Sequence, residues 1–382
     1  MNILVYTRFY PAPEGLRTKP DTLVVHYFVK ELQRAGHTVQ VVHLELNPPR
    51  EILRNRLRDL VPTEADYVYE GAPVHLIRCQ GLTPHRYFPE KLQAVFLNRR
   101  LRAFKRSLGW RSDRVFVHFP TSFTGLTEIF AEDVPILGDF HNVDVHTLNS
   151  RCGAEAQAFI RRIKTWTYRN KRVQAGLEAV ERRPMVRSYS GLEPSLLDTP
   201  AQVQEKLAEP QERLRILYAG QLIPLKNVDI LIRAVRELSF PWELTVVGDG
   251  PERERLEALA EGCSAIVFTG KLPRTEVSLR MREADVFIML SSPETYGLVY
   301  LEAMARGCLT IASRGEGFDG IIRDGENGFL EEPGSVEAAV RCLRRAHALP
   351  EAERRRLVEA GYALACTMTE EQTARRLLEA NR

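Results

Sequence analysis

The sequence predicts an α/β protein made of two Rossmann-like domains, and three observations carry that prediction. Short apolar runs alternate with segments of helical apolar spacing, the pattern of parallel strands buried on both faces. Each half of the chain opens with the same strand–loop–helix–strand unit. The charge also divides, with net +9 over residues 1–195 and −6 over the remainder, inside a total of only +3. A chain of 382 residues suits two cores of about 150–200 residues each. One large doubly wound domain is the competing arrangement, and the charge split argues against it.

Taken in order, residues 3–6 (ILVY) read as a strand, Leu23 to Ala35 as a helix closing at Gly36, and Val39 to Leu44 as the next strand. Lys91 to Trp110 reads as a helix with Leu97, Leu101, Phe104 and Leu108 on one stripe. Arg99, Arg100, Arg102, Lys105 and Arg106 crowd its remaining surface. A seam is expected from Leu192 to Leu214, where Pro194, Pro200 and Pro210 punctuate a polar stretch. The second half restarts with a strand at Ile216 to Ala219, a loop at Gly220, a helix over Val228 to Leu238 and a strand over Leu244 to Val247. Gly248-Asp249-Gly250 follows, then strands at Ala265–Thr269, Val286–Leu290 and Leu309–Ala312. These readings divide the chain into 1–195, 196–365 and a C-terminal helix in 366–382 that packs back on the first domain.

Composition excludes several classes. No apolar run reaches the roughly 18 residues of a membrane span, and Ile3 to Tyr6 is too short for a secretory apolar region. Six scattered cysteines lack C-x-x-C or zinc-type His spacing, so neither a disulfide framework nor a metal cluster is expected, and the chain reads as cytoplasmic. The basic half has no aromatic–basic stacking motif, so nucleic acid is not expected as a partner.

Chemistry is concentrated in Ser291 to Gly307 (SSPETYGLVYLEAMARG). The segment leaves a buried strand, passes Pro293 and Gly297 and enters a helix near Leu298. In open α/β sheets ligands bind outside the carboxyl ends of strands. The backbone N–H groups of Gly297, Leu298 and Val299, reinforced by the helix dipole, would form an anion site there. Glu294 and Glu302 bracket that site and would repel phosphate themselves; they suit hydroxyl donors on either side of it. A nucleotide-diphosphate-sugar has that layout of sugar, diphosphate and ribose.

The Glu-x7-Glu segment resembles the signature of family 4 glycosyltransferases, retaining enzymes of the GT-B fold in which two Rossmann-like domains face across a cleft. The resemblance extends to Tyr218–Asn227 (YAGQLIPLKN), Val247–Pro251 (VGDGP), Phe268–Lys271 (FTGK) and Gly315–Gly328, dense over 214–330. Tyr10-Pro11, Arg34–Val39 and Asp139–Val145 (DFHNVDV) match more loosely in the first half. The resemblance implies that Glu294 holds donor-sugar hydroxyls, Glu302 the ribose, and Lys226 the diphosphate as it leaves. It places Gln221, Gly270, Lys271, Tyr296, Gly297, Leu298 and Val299 around the donor, His141 near the reaction centre, and Gly15 and Asp144 on the acceptor side. Asp249 of the GDG turn reads as structural. Two departures stand out. Gln221 occupies a position where the family has Arg, and only Gly15 stands where relatives have paired glycines.

The implied function is retaining transfer of a sugar, UDP-linked in most relatives, to a glycan, a lipid-linked glycan or a small molecule, in polysaccharide or glycoconjugate synthesis. Neither a metal nor any other cofactor is expected. The basic stripe of Lys91–Trp110 fits either a solvated helix face or docking on an anionic membrane surface from the cytoplasmic side. A nucleotide-sugar epimerase of similar fold, a phosphorylase and a binding-only homologue are the alternatives.

Overall fold

The computed structural model describes residues 1–16, 23–47, 63–83, 86–87, 90–150 and 153–381. These fall into two compact units. The first comprises Met1–Ser188 with Thr373–Arg382, and the second Tyr189–Gln372.

The first unit is built on a nine-stranded sheet. Its strands are β1 (Asn2–Thr7), β2 (Thr38–Asn47), β3 (Thr63–Tyr69), β4 (Ala72–Thr83), β5 (Arg86–Tyr87), β6 (Arg114–His118), β7 (Ile136–Phe140), β8 (Thr165–Tyr168) and β9 (Met185–Arg187). The order is β3-β4-β2-β1-β6-β7-β8-β9, with β5 paired to β4. All pairs are parallel except β3–β4 and β4–β5. β1 lies between β2 and β6, so successive connections run to opposite sides of it and the switch in strand order falls between β1 and β6. Central strands such as β1 (burial complete from Ile3 to Thr7) are apolar on both faces because helices cover both.

The second unit holds β10 (Leu214–Ala219), β11 (Trp242–Val247), β12 (Ile266–Gly270), β13 (Val286–Met289), β14 (Leu309–Ser313) and β15 (Phe329–Glu331), all parallel. Their order is β12-β11-β10-β13-β14-β15, so here the switch lies between β10 and β13. One continuous core joins Ile216, Leu217, Val246, Phe287, Ile288, Ile311 and the helix residues Leu231, Ile232, Leu301 and Leu343.

The predicted elements end within three residues of the observed ones, with one clear correction. The Leu192–Leu214 stretch, read as a low-periodicity seam, contains a helix over Pro200–Ala208. Thr199 caps it, with Gln202 completing a capping box and Pro200 in the first turn, where a missing N–H costs nothing. The units accordingly divide at 188/189, not at 195/196. The 366–382 segment is also shared: the helix Glu351–Cys366 belongs to the second unit, while Leu377 of the helix Glu370–Ala380 joins the first-unit core of Ile3, Val5 and Val41.

Helix Glu90–Ser107 buries Leu97 and Leu101, with Phe104 and Leu108 packed alongside. Its basic face is partly neutralised: Arg100 meets Glu64, Arg102 meets Glu128 and Lys105 meets Glu132.

Candidate active site

The carboxyl ends of β10, β11 and β12 are stitched together by backbone hydrogen bonds. Gly220 N donates to Val247 O, Gly248 N to Gly270 O and Leu222 N to Asp249 O. These loops approach so closely that a Cβ on Gly248 would lie 1.8 Å from Gly220 O, which is the physical reason for glycine in the GDG turn. Asp249 accepts from Gly250 N at 2.8 Å, a bond internal to the turn. Gly270 holds φ +73° at the end of β12, and Lys271 beyond it is exposed. Gln221 is also exposed, and its carbonyl accepts from the buried Tyr218 hydroxyl.

The turn Pro224–Lys226 is tied to the end of β13. Asn227 Nδ2 donates to Leu290 O at 2.7 Å and Ser292 N to Leu225 O at 2.9 Å. That tether sets Lys226 Nζ 2.6 Å from Glu294 Oε2, which also accepts from Ser291 Oγ at 3.0 Å. The ammonium and the carboxylate are thus paired, with side chains 19% and 13% exposed. Gly297 follows at φ +80° as the residue before helix Leu298–Ala305, and a Cβ there would meet the Tyr300 ring at 2.4 Å. The first-turn N–H groups of that helix have no intrahelical acceptor, so Gly297, Leu298 and Val299 present donors.

Two assigned residues stand differently from their sequence reading. Tyr296 is buried, and its hydroxyl donates to Ser190 O, so its side chain braces the turn instead of facing a donor. Glu302 pairs through Oε1 with Arg274 at 2.7 Å, leaving Oε2 for a ligand. Glu316, which the sequence reading left unassigned, is the brace of the Glu294 turn. Its carboxylate accepts from Glu294 N and Ser292 Oγ, each at 2.8 Å. The only signal for it was its place in the Gly315–Gly328 motif.

In the first unit, His141 begins helix Asn142–Leu148 at the end of β7 and stacks on Phe119, ring centroids 4.0 Å apart. Asp144, read as an acceptor-side residue, is fully buried. Its oxygens accept from His141 N at 2.8 Å and from Thr121 N and Oγ1 at 3.0 and 2.7 Å. It therefore fixes the helix start and carries no open edge. Gly15 lies in the single turn Glu14–Leu16, and residues 17–22 beyond it, part of the loop compared with relatives, lie outside the described residues.

His118 was not singled out from the sequence. It joins His141 and Asp139, with ligand-type atoms all within 4.8 Å. Asp139 is already engaged. Its Oδ2 lies 2.6 Å from Arg169 Nη2, while Oδ1 accepts from Thr167 and Ser188. Burial alone would raise the Asp139 carboxyl; Arg169 and the two imidazoles outweigh burial and hold it well below the usual carboxylate range. Burial, then the His141 ring, drive His118 well below the ordinary imidazole value, so it is neutral. A cation at the same carboxylate oxygen would have to compete with the Arg169 guanidinium.

Residues 201–364 match the family described as glycosyl transferases group 1, which places the similarity in the second unit. Among curated relatives, the sulfoquinovosyl transferase of Arabidopsis thaliana is 40% identical over 139 residues, which is 36% of this chain and 27% of that protein. The lipopolysaccharide core biosynthesis glycosyltransferase of Rhizobium meliloti is 36% identical over 160 residues, covering 41% of this chain and 46% of the relative. The D-inositol 3-phosphate glycosyltransferase of Acidothermus cellulolyticus is 35% identical over 146 residues, or 34% and 32% of the two chains. The matches thus span less than half the length of these relatives. Among solved structures, Anabaena HepE in complex with UDP superposes with a TM-score of 0.72 at 16% identity, covering 99% of both chains. The sucrose-phosphate synthase of Thermosynechococcus elongatus does so at 0.69 and 20% identity, covering 99% of this chain and 97% of the other. The fold of the whole chain is therefore GT-B.

Proposed function

We propose that this protein is a retaining, metal-independent glycosyltransferase that takes a sugar from a nucleotide-diphosphate-sugar, UDP-linked, and delivers it to a hydroxyl of a glycan, a lipid-linked glycan or a small molecule. The observation that carries the reading is the Lys226–Glu294 pair set against the start of helix Leu298–Ala305. A cation, a carboxylate and free helix-terminal N–H groups are the three elements a sugar diphosphate requires. Donor binding would exchange the internal ion pair for two external contacts, Lys226 to the diphosphate and Glu294 to sugar hydroxyls. Glu302 Oε2 would take the ribose. Gly270 and Lys271 stand where the base would lie, and Gln221 contributes neutral donors where relatives have a guanidinium.

During transfer the anomeric carbon–phosphate oxygen bond breaks and negative charge grows on the diphosphate, where Lys226 and the helix N–H groups stabilise it. The acceptor oxygen forms its bond on the same face and its proton passes to the departing phosphate. No carboxylate is assigned as a nucleophile beneath the anomeric carbon, because Glu294 is assigned to the sugar hydroxyls. His141 is assigned to the transferred sugar, with Asp144 as its positioning residue. Neither a metal nor a separate cofactor enters this route. The setting we propose is cytoplasmic, at the inner face of a membrane, in polysaccharide or glycoconjugate synthesis; among the described residues no helix is long and apolar enough to cross a membrane. Titration of the purified chain with UDP tests the donor reading: saturable binding weakened by Lys226→Ala supports it, and no binding contradicts it.

A further inference from the structure

Arg8 follows β1 directly, at the carboxyl end of the strand beside the switch in strand order of the first sheet. Its relative exposure is 2%, which makes it one of the largest fully enclosed side chains of the molecule. Nε donates to Leu44 O at 2.9 Å, yet Nη1 and Nη2 have no hydrogen-bond partner among the described residues. The nearby carboxylate, Glu45, is engaged at 2.5 Å by Arg78 Nε. Among the described residues, the group of Arg8, Glu45 and Arg78 sums to one positive charge. Burial, partly opposed by Cys79 and Glu45, lowers the Arg8 guanidinium to about 10, so it stays charged at neutral pH. Next to it, Thr7 Oγ1 lies 3.1 Å from His118 Nδ1, which joins Arg8 in sequence to the His118–Asp139–His141 cluster.

An enclosed guanidinium with its whole outer fork unpaired is costly unless an anion completes it. Planar, two-pronged donation fits an oxyanion bidentately. Open α/β sheets take ligands at this place, outside the strand ends at the switch point. We propose that Arg8 is a binding residue for an oxyanion, a phosphate or carboxylate group carried by the acceptor substrate. That the oxyanion belongs to an acceptor rests on the transferase reading above; that Arg8 binds one does not.

The test uses the full chain, titrated calorimetrically with inorganic phosphate and separately with acetate, each with and without saturating UDP. Wild-type protein should bind at least one of the two saturably while UDP is bound, and Lys226→Ala should bind it equally well. Arg8→Lys, which keeps the charge and loses the fork, should weaken it by about tenfold or more. Arg8→Met should abolish it while melting no lower than wild type, since an unpaired buried charge is replaced by an apolar chain. The proposal is overturned if neither anion binds, if Arg8→Met binds as wild type does, or if the anion is displaced by UDP or lost in Lys226→Ala. Should Arg8→Met fail to fold, the Arg8→Lys titration decides. UDP binding is read in the same experiment, so failure of the donor reading and failure of the Arg8 reading are separate results.

Discussion

Lys226 Nζ lies 2.6 Å from Glu294 Oε2, so the two side chains assigned to opposite halves of a sugar diphosphate satisfy each other. Each keeps the other's charge in place until a donor supplies both replacements. Removal of either leaves a partly buried charge without its partner. Lys226→Ala should lower kcat by about 10²–10³, the loss expected for one preorganised stabiliser of a leaving group. Glu294→Ala should lower it comparably, and the double variant should lose less than the product of the two. Steady-state kinetics with a fixed acceptor reads this; a Lys226→Ala enzyme with normal kcat and only raised KM would remove its assigned role.

Glu302→Ala should chiefly raise KM for the donor, because ribose contacts change little between ground and transition states. Arg274, which holds Glu302 at 2.7 Å, should give a smaller shift in the same direction when changed to Gln. A fall in kcat without a change in KM would contradict the ribose assignment.

Gly297→Ala should destabilise the second unit by at least about 2 kcal/mol. A Cβ at φ +80° is strained and would stand 2.4 Å from the enclosed Tyr300 ring. Urea unfolding followed by tryptophan fluorescence and circular dichroism provides the measure, with Gly262→Ala, which meets no neighbour but shares the positive φ, as the reference for backbone strain alone. Equal losses at the two glycines would show that the ring contact contributes nothing.

His118 gives stability a definite dependence on pH. Its folded value lies well below the ordinary 6.5 because of burial first and the His141 ring second. The unfolded chain therefore takes up a proton below about 6.5 that the folded chain refuses, and stability falls as pH drops from there. One such site contributes a slope of up to about 1.4 kcal/mol per pH unit. His118→Asn should remove that share of the slope between pH 6.5 and 5; an unchanged slope would mean that His118 titrates in the fold as it does outside it.

Much of this was legible in the sequence because it rests on local rules. Strand–helix alternation announced the parallel pairing, which the first sheet departs from only at β3–β4 and β4–β5, and Gly297 before an apolar helix announced the turn that positions Glu294. The Pro200–Ala208 helix was equally local, since Thr199-Pro200 with Gln202 is a capping box, but three prolines drew attention to a break instead. Long-range partners were not legible. Nothing near residue 302 in the sequence points to Arg274, and nothing near residue 118 points to Asp139 or Arg169. Asp144 shows the same limit: the DFHNVDV match put it on the acceptor side, and the structure shows its carboxylate capping the helix that His141 begins.

The basic helix Glu90–Ser107 allows a narrower expectation than its sequence did. Among the described side chains, Arg100, Arg102 and Lys105 have carboxylate partners, which leaves Arg99 and Arg106, with the exposed Val95 and Phe96, to meet an anionic surface. Flotation with anionic vesicles should show weak binding at low salt that is released at 1 M, where screening shortens to about 3 Å. Arg99→Ser with Arg106→Ser should abolish it, whereas Arg100→Ser should not. Binding indifferent to Arg99 and Arg106 would leave the helix as core packing with a wet face.

The central claim is retaining transfer from a nucleotide-diphosphate-sugar without a metal. It is tested most directly by incubating the chain with UDP-glucose and a panel of neutral and phosphorylated sugar and polyol acceptors in EDTA, and reading the products by proton NMR. The account predicts release of UDP together with a new α-configured glycoside, formed by wild type and lost in Lys226→Ala. A β-linked product, an epimerised nucleotide-sugar without UDP release, or turnover that appears only when EDTA is replaced by Mn²⁺ would contradict it.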